Sequence, residues 1–136
     1  MRIAVIDGQG GGIGARLVEK IRKAMPEGTE VWALGTNAHA TSAMMKAGAN
    51  MGGTGENAIC HSCFEVDVIV GTLSILLANS MMGEVTVRMV KAVGESKAKK
   101  YLLPLNRSGV WVAGTPDEPL PHLIDMLVAQ IQKMEA

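Results

Sequence analysis

The chain begins with the apolar run RIAVID, continues at residues 8–14 as GQGGGIG, and then turns into a helical pattern. This stretch restricts the fold more than any other. A buried strand at 2–7 passes through glycines into a helix, which is the first half of a strand–helix–strand unit, and such units build parallel sheets. Ile13, Leu17, Val18, Ile21, Ala24 and Met25 recur at helical spacing, while Arg16, Glu19, Lys20, Arg22 and Lys23 fill the other face. Pro26 and Gly28 stop this amphipathic helix.

The alternation continues downstream. EVWALGT (30–36) reads as a second strand, after which Thr36 or Asn37 caps a helix through about Ala47, ended by Gly48. ANMGGTGEN (49–57) reads as a second glycine-rich loop, with Thr54 as the cap of a short helix at 56–63. VDVIVGT (66–72) gives the most apolar strand signal. LSILLANSMM is apolar nearly all round, a buried helix or turn, and Glu84 marks a further helix start. KYLLPL (100–105) and GVWVAG (109–114) read as the fourth and fifth strands. A final helix carries Leu123, Ile124, Leu127, Val128 and Ile131 as one stripe, with Pro119, Pro121, Asp117 and Glu118 at its lead-in. The pattern predicts an α/β, three-layer Rossmann-like or flavodoxin-like sandwich of about five mostly parallel strands in a single domain, 1–136. Counting those strands along the chain, the preferred order is 2-1-3-4-5 and the alternative is 3-2-1-4-5.

Five glycines in seven positions allow positive φ and close approach of a ligand to the backbone. The following helix end offers free N–H groups and partial positive charge, so an anion is attracted without any basic side chain. Gly10, Gly12 and Ala15 satisfy G-x-G-x-x-G/A, and Gly8, Gly12 and Gly14 satisfy G-x-x-x-G-x-G. The second pattern resembles the cofactor loop of short-chain dehydrogenases. The chain departs from that family at Asp7, where the family has Thr, and Tyr101 is not followed by the family's Tyr-x-x-x-Lys pair. No Lys-Ser/Thr closes the loop as in a Walker P-loop. The second strand ends LGTN, with neither the acid that binds ribose hydroxyls in NAD sites nor an Arg for a 2′-phosphate. Thr36 and Asn37 remain as ribose partners or as helix caps.

Asp7 argues against a bare phosphate site. Like charges at about 4 Å repel by roughly 4 kcal/mol at an effective dielectric near 20. Asp7 is therefore expected to brace the loop, to hold a metal bridging to phosphate, or to accept a ligand N–H or O–H. Ligands of open parallel sheets bind beyond the carboxyl ends of the strands, where the order reverses. That crevice is expected to gather Gly8, Gln9, Gly10, Gly11, Gly12, Ile13 and Gly14 with Gly71, Thr72 and Asn106. The 52–57 loop could cover it as a lid that brings Thr54, Glu56 and Asn57, making Glu56 and Asp7 the candidate acids or bases. CHSC (60–63) is a lone C-x-x-C late in a short helix, and it lacks the four ligands of a structural zinc. Buried, unreactive Cys60 and Cys63 are the simpler reading.

Composition narrows the classes. The 136 residues suit one domain. Aromatics are only 3% and Met numbers 10, so Val, Ile, Leu, Ala and Met must build the core. Thirteen basic residues cancel thirteen acidic ones, which leaves no basic footprint for nucleic acid. No run reaches the roughly 18–20 apolar residues of a membrane span. RIAVID carries no signal-peptide pattern, and with two cysteines the expectation is a reducing cytoplasm. A twofold homodimer is the default oligomer for such a domain.

DGQGGGIG, ALGTNAHATSAMMKAGA, GTGENAI, DVIVG, ANSMMGE, LLPLN and EPLPHLID together resemble a small bacterial family of domains of unknown function. The resemblance covers nearly the whole chain. It implies a Rossmann-like single domain, known mainly from anaerobic bacteria, without an established activity; CHSC lies outside its pattern. The leading expectation is a protein that binds a nucleotide, dinucleotide or other phosphorylated small molecule at residues 8–14. The alternatives are a non-catalytic nucleotide sensor or subunit, and a metal or thiol protein working through Cys60 and Cys63.

Overall fold

The computed structural model describes residues 1–105 and 108–135. The elements are β1 (Arg2–Asp7), α1 (Gly12–Ala24), β2 (Glu30–Gly35), α2 (Ala38–Lys46), β3 (Met51–Thr54), α3 (Glu56–Ser62), β4 (Val68–Thr72), α4 (Val87–Glu95), β5 (Lys99–Leu103) and α5 (Leu120–Glu135). A short 3-10 helix, Leu73–Leu76, follows β4. Among the described residues five strands form one parallel sheet in the order β3-β2-β1-β4-β5.

The α/β sandwich is as expected; numbered over the strands observed its order is 3-2-1-4-5, which has the digits of the alternative but not its pairing, since 66–72 lies beside β1 and not beside β2. Four strands keep the neighbours that the preferred order gave them, and the difference lies at the two edges. Residues 109–114 form no strand: Gly109 and Gly114 have φ of 83° and 78°, and Trp111 is 81% exposed, so the run has no buried face. Conversely, 51–54 is a strand and not a loop or lid, with Gly52 and Gly53 aligned with Ala33 and Leu34 of β2. A Cβ on Gly52 would lie 3.0 Å from Met45 Sδ, and one on Gly53 would lie 3.1 Å from Ala58 Cβ. Glycine lets α2 and α3 close down on this edge, at the expense of a visible strand signal.

The period of two along β1 divides the core. Ile3 and Val5 face Leu17, Val18 and Ile21 of α1, together with Met44 of α2 and the buried stripe of α5. Ala4 and Ile6 face Ile59 of α3 and Met89 and Val93 of α4. All five residues of β4 are buried, as are all of β1 except Arg2, which is why both read as continuous apolar runs. The α5 stripe Leu123, Ile124, Leu127, Val128 and Ile131 is buried as its spacing predicts.

Two helix starts differ from expectation. Thr54 does not cap α3; Gly55, at φ 94°, holds the N-cap position, and the Thr54 hydroxyl pairs with that of Thr41 at 2.7 Å. Glu84 does not begin α4. Met81, Met82 and Gly83 have φ of 54°, 56° and 91°, which keeps the chain in turns until Thr86 Oγ1 accepts from Met89 N at 3.2 Å and starts the helix. Asn37 does cap α2, its Oδ1 accepting from Ala40 N at 2.9 Å. Among the described residues no helix is long and apolar enough to cross a membrane.

Candidate functional site

The strand order reverses between β1 and β4, so the crevice at their carboxyl ends is the natural ligand position in this fold. Residues 8–14 lie there. Gly11 N donates to Gly8 O at 2.9 Å, closing a tight turn in which Gln9 has φ 49° and Gly11 has φ 73°. Helix α1 starts directly from Gly11, whose N-cap position carries no side chain.

The loop glycines serve different ends. A Cβ on Gly8 would fall 2.4 Å from Thr36 Oγ1, one on Gly11 2.7 Å from the Cα of Ala40, and one on Gly14 2.7 Å from Met44 Sδ. These three are demanded by packing. Gly10 and Gly12 are exposed, have φ outside the left-handed region, and would place a Cβ in open space.

Asp7 braces the loop from below. Asp7 is 6% exposed; Oδ1 accepts from Gly8 N at 2.8 Å and Oδ2 from Gly14 N at 2.7 Å. Gly14 is the third residue of α1, so Asp7 satisfies the donor that an N-cap side chain would take. Burial pushes its pKa above the ordinary aspartate value and Glu84 adds to this, against the two N–H groups that favour the charged form. Of the three roles open to Asp7 from the sequence, bracing is the one observed. Outward, no hydrogen bond among the described residues engages the N–H of Gly10, Gly12 or Ile13.

Glu84 is the residue that sequence reasoning missed. Its Oε1 accepts from Gln9 N at 2.8 Å, Thr36 Oγ1 at 2.6 Å and Asn37 Nδ2 at 2.9 Å. The Thr36 hydroxyl foremost, then the Gln9 N–H, hold its pKa below the ordinary glutamate value. Asn37 Nδ2 also donates to Gln9 O at 3.0 Å, so the end of β2 and the glycine loop are tied together. The only sequence hint was the turn-forming run Asn79 to Gly83 just before it.

The remaining candidates divide. Gly71 is buried near the carboxyl end of β4, where a Cβ would meet Ile6 O at 2.9 Å and Ile75 Cδ1 at 3.1 Å. Thr72 is at the right strand end but is 2% exposed, with its hydroxyl on that of Ser74. Glu56 is tied to the start of α4: Oε1 accepts from Thr86 Oγ1 at 2.7 Å, and Oε2 pairs with Arg88 at 3.2 Å. No hydrogen bond joins it to Asp7 among the described residues. Asn106 lies outside the described residues. Cys60 and Cys63 are free thiols, and burial pushes Cys63 up to about 11 and Cys60 in the same direction. Among the described residues no three His, Cys, Asp or Glu side chains converge to hold a metal.

Among solved structures, the chain is similar to a dodecameric FMN-dependent Ubix-like decarboxylase from Escherichia coli O157:H7, at 11% identity and a TM-score of 0.47. That similarity covers 98% of this chain and 93% of the other. No curated protein matches. The model of one family, the domain of unknown function DUF3842, matches residues 2–136, and the chain belongs to that family.

Proposed function

We propose that this protein binds a nucleotide or another phosphorylated small molecule, with phosphate at the outward N–H groups of Gly12 and Ile13. The observation that carries the reading is the division among the loop glycines. Packing accounts for Gly8, Gly11 and Gly14 but not for Gly10 and Gly12, which leave bare backbone at the crevice mouth. Glycine in a helix is unfavourable by up to about 1 kcal/mol relative to Ala, so its use where the fold does not need it is explained by a ligand that approaches closely. The start of α1 adds partial positive charge at the same point. Asp7 is turned under the loop onto two N–H groups and leaves the outer face of the helix end clear.

A binding or sensing role accounts for the site better than catalysis. Both oxygens of Asp7 and both of Glu56 are already engaged, so neither is set up to exchange a proton with a ligand. The test is denaturation of purified protein, with mass detection of any released nucleotide, followed by thermal-shift titration with NAD, NADP, ATP, AMP and S-adenosylmethionine. At least one compound is expected to be released or to raise the Tm, and Gly12→Val is expected to abolish the shift while the far-UV spectrum stays unchanged. An empty protein with no shift for any compound, or a shift that survives Gly12→Val, overturns the assignment.

A further inference from the structure

Resting on the phosphate reading above, we infer that Glu84 supplies the carboxylate that a ribose-binding site of this fold carries at the end of β2, so the ligand class is a ribonucleotide with free 2′ and 3′ hydroxyls. β2 ends at Gly35 and runs on into Thr36 and Asn37, with no acid there. The fold delivers one to that point from 48 residues away: the Glu84 carboxylate lies on the Thr36 hydroxyl and the Asn37 amide, the two residues that follow β2. It also touches the glycine loop through Gln9 N at 2.8 Å, next to Gly8, where any Cβ would stand 2.9 Å from Oε1. A side chain at that position would separate the carboxylate from the loop.

All three hydrogen bonds fall on one oxygen. Oε2 accepts none and forms no ion pair among the described residues. A carboxylate anchored by one oxygen and open at the other is an oriented acceptor, and acceptors of this kind select hydroxyl and N–H donors. The same negative charge disfavours an anion beside it, which orients the ligand: sugar hydroxyls toward Glu84, phosphate toward Gly12 and Ile13. A 2′-phosphorylated sugar meets the charge head-on. The chain that brings Glu84 here passes through Asn79, Met81 and Met82, all at positive φ, a conformation that is unfavourable for methionine.

The experiment is calorimetric titration of the full-length protein with ADP, GDP, CDP and UDP, their 2′-deoxy counterparts, adenosine 2′,5′-bisphosphate and pyrophosphate. The wild type is expected to bind at least one ribonucleotide about tenfold or more tightly than its deoxy form, the scale of a lost hydrogen bond to a charged group. Glu84→Gln is expected to shrink that ratio, and Glu84→Ala to remove it and to relieve the penalty on the 2′-phosphate. The ratio in the wild type alone tests the inference should a variant not fold. Equal binding of ribo and deoxy forms overturns it. So does a gain in pyrophosphate affinity in Glu84→Ala as large as the gain for the 2′-phosphate, which would make Glu84 a plug in the anion site. Binding of pyrophosphate with no gain from the nucleoside overturns the sugar assignment and leaves the phosphate reading standing, whereas no binding of any probe overturns both.

Discussion

The loop glycines offer a quantitative test, because their surroundings give substitutions at them opposite consequences. Gly11→Ala places an L-residue at φ 73°, in the left-handed region, at roughly 1–2 kcal/mol. The new Cβ would also lie 2.7 Å from the Cα and 2.9 Å from the O of Ala40. Those are backbone atoms of α2 and cannot rotate aside, so overpacking adds about 1–3 kcal/mol. A loss of about 3 kcal/mol is expected. Gly14→Ala meets the Met44 thioether at 2.7 Å, which can yield, but also Asp7 Cβ at 2.8 Å, so a smaller loss of about 2 kcal/mol is expected. Gly12→Ala meets nothing within 4 Å and is expected to lie between neutral and about 1 kcal/mol more stable, through helix propensity. The assay is urea unfolding followed by far-UV circular dichroism. In a thermal scan each kcal/mol corresponds to roughly 3–5 °C for a chain of this size. Gly11→Ala within about 0.5 kcal/mol of wild type, or Gly12→Ala as damaged as Gly11→Ala, would refute the division of the loop into packed and unpacked glycines.

Three further outcomes follow from the same geometry. Asp7 has a raised pKa in the fold, so its contribution is fully present below the ordinary aspartate value and is lost as pH rises through the folded pKa; the stability advantage of wild type over Asp7→Asn, from urea midpoints across pH 3–8, should therefore shrink with rising pH, and an advantage that grows instead contradicts the burial argument. Met82 has φ 56° and is 96% exposed, so Met82→Gly relieves a left-handed residue while removing little packing; its Tm should rise by an amount worth about 0.5–1 kcal/mol, and a fall would show that the side chain has a partner. Cys63, fully buried and pushed up to about 11, should react with a disulfide reagent at neutral pH far more slowly than the partly exposed Cys60, as read by comparing Cys60→Ser with Cys63→Ser; equal rates would indicate local opening of α3.

What could be read from the sequence was whatever a local period encodes. The two apolar runs that became β1 and β4, the stripe of α5, the Asn37 cap and the strand–glycine–helix start each carry their own signal within a few residues, and each stands where that signal put it. The misreadings fall where tertiary contacts decide. Gly52 and Gly53 have poor strand propensity and lie in β3 because α2 and α3 press on them. The 109–114 run has strand-like residues and no sheet to receive them. Thr72 had the right strand end but the wrong environment, since its hydroxyl is spent on Ser74. Glu84 illustrates the limit best. The turn-forming run just before it, Asn79 to Gly83, does not by itself tell an acid that reaches the glycine loop from a helix-start acid. The position of Glu84 depends on a turn through positive-φ residues and on donors 47, 48 and 75 positions away, at Asn37, Thr36 and Gln9. No acid stands in the sequence at the end of β2. The fold brings the β4–α4 connection to that point, and the Glu84 carboxylate stands there on the Thr36 hydroxyl and the Asn37 amide.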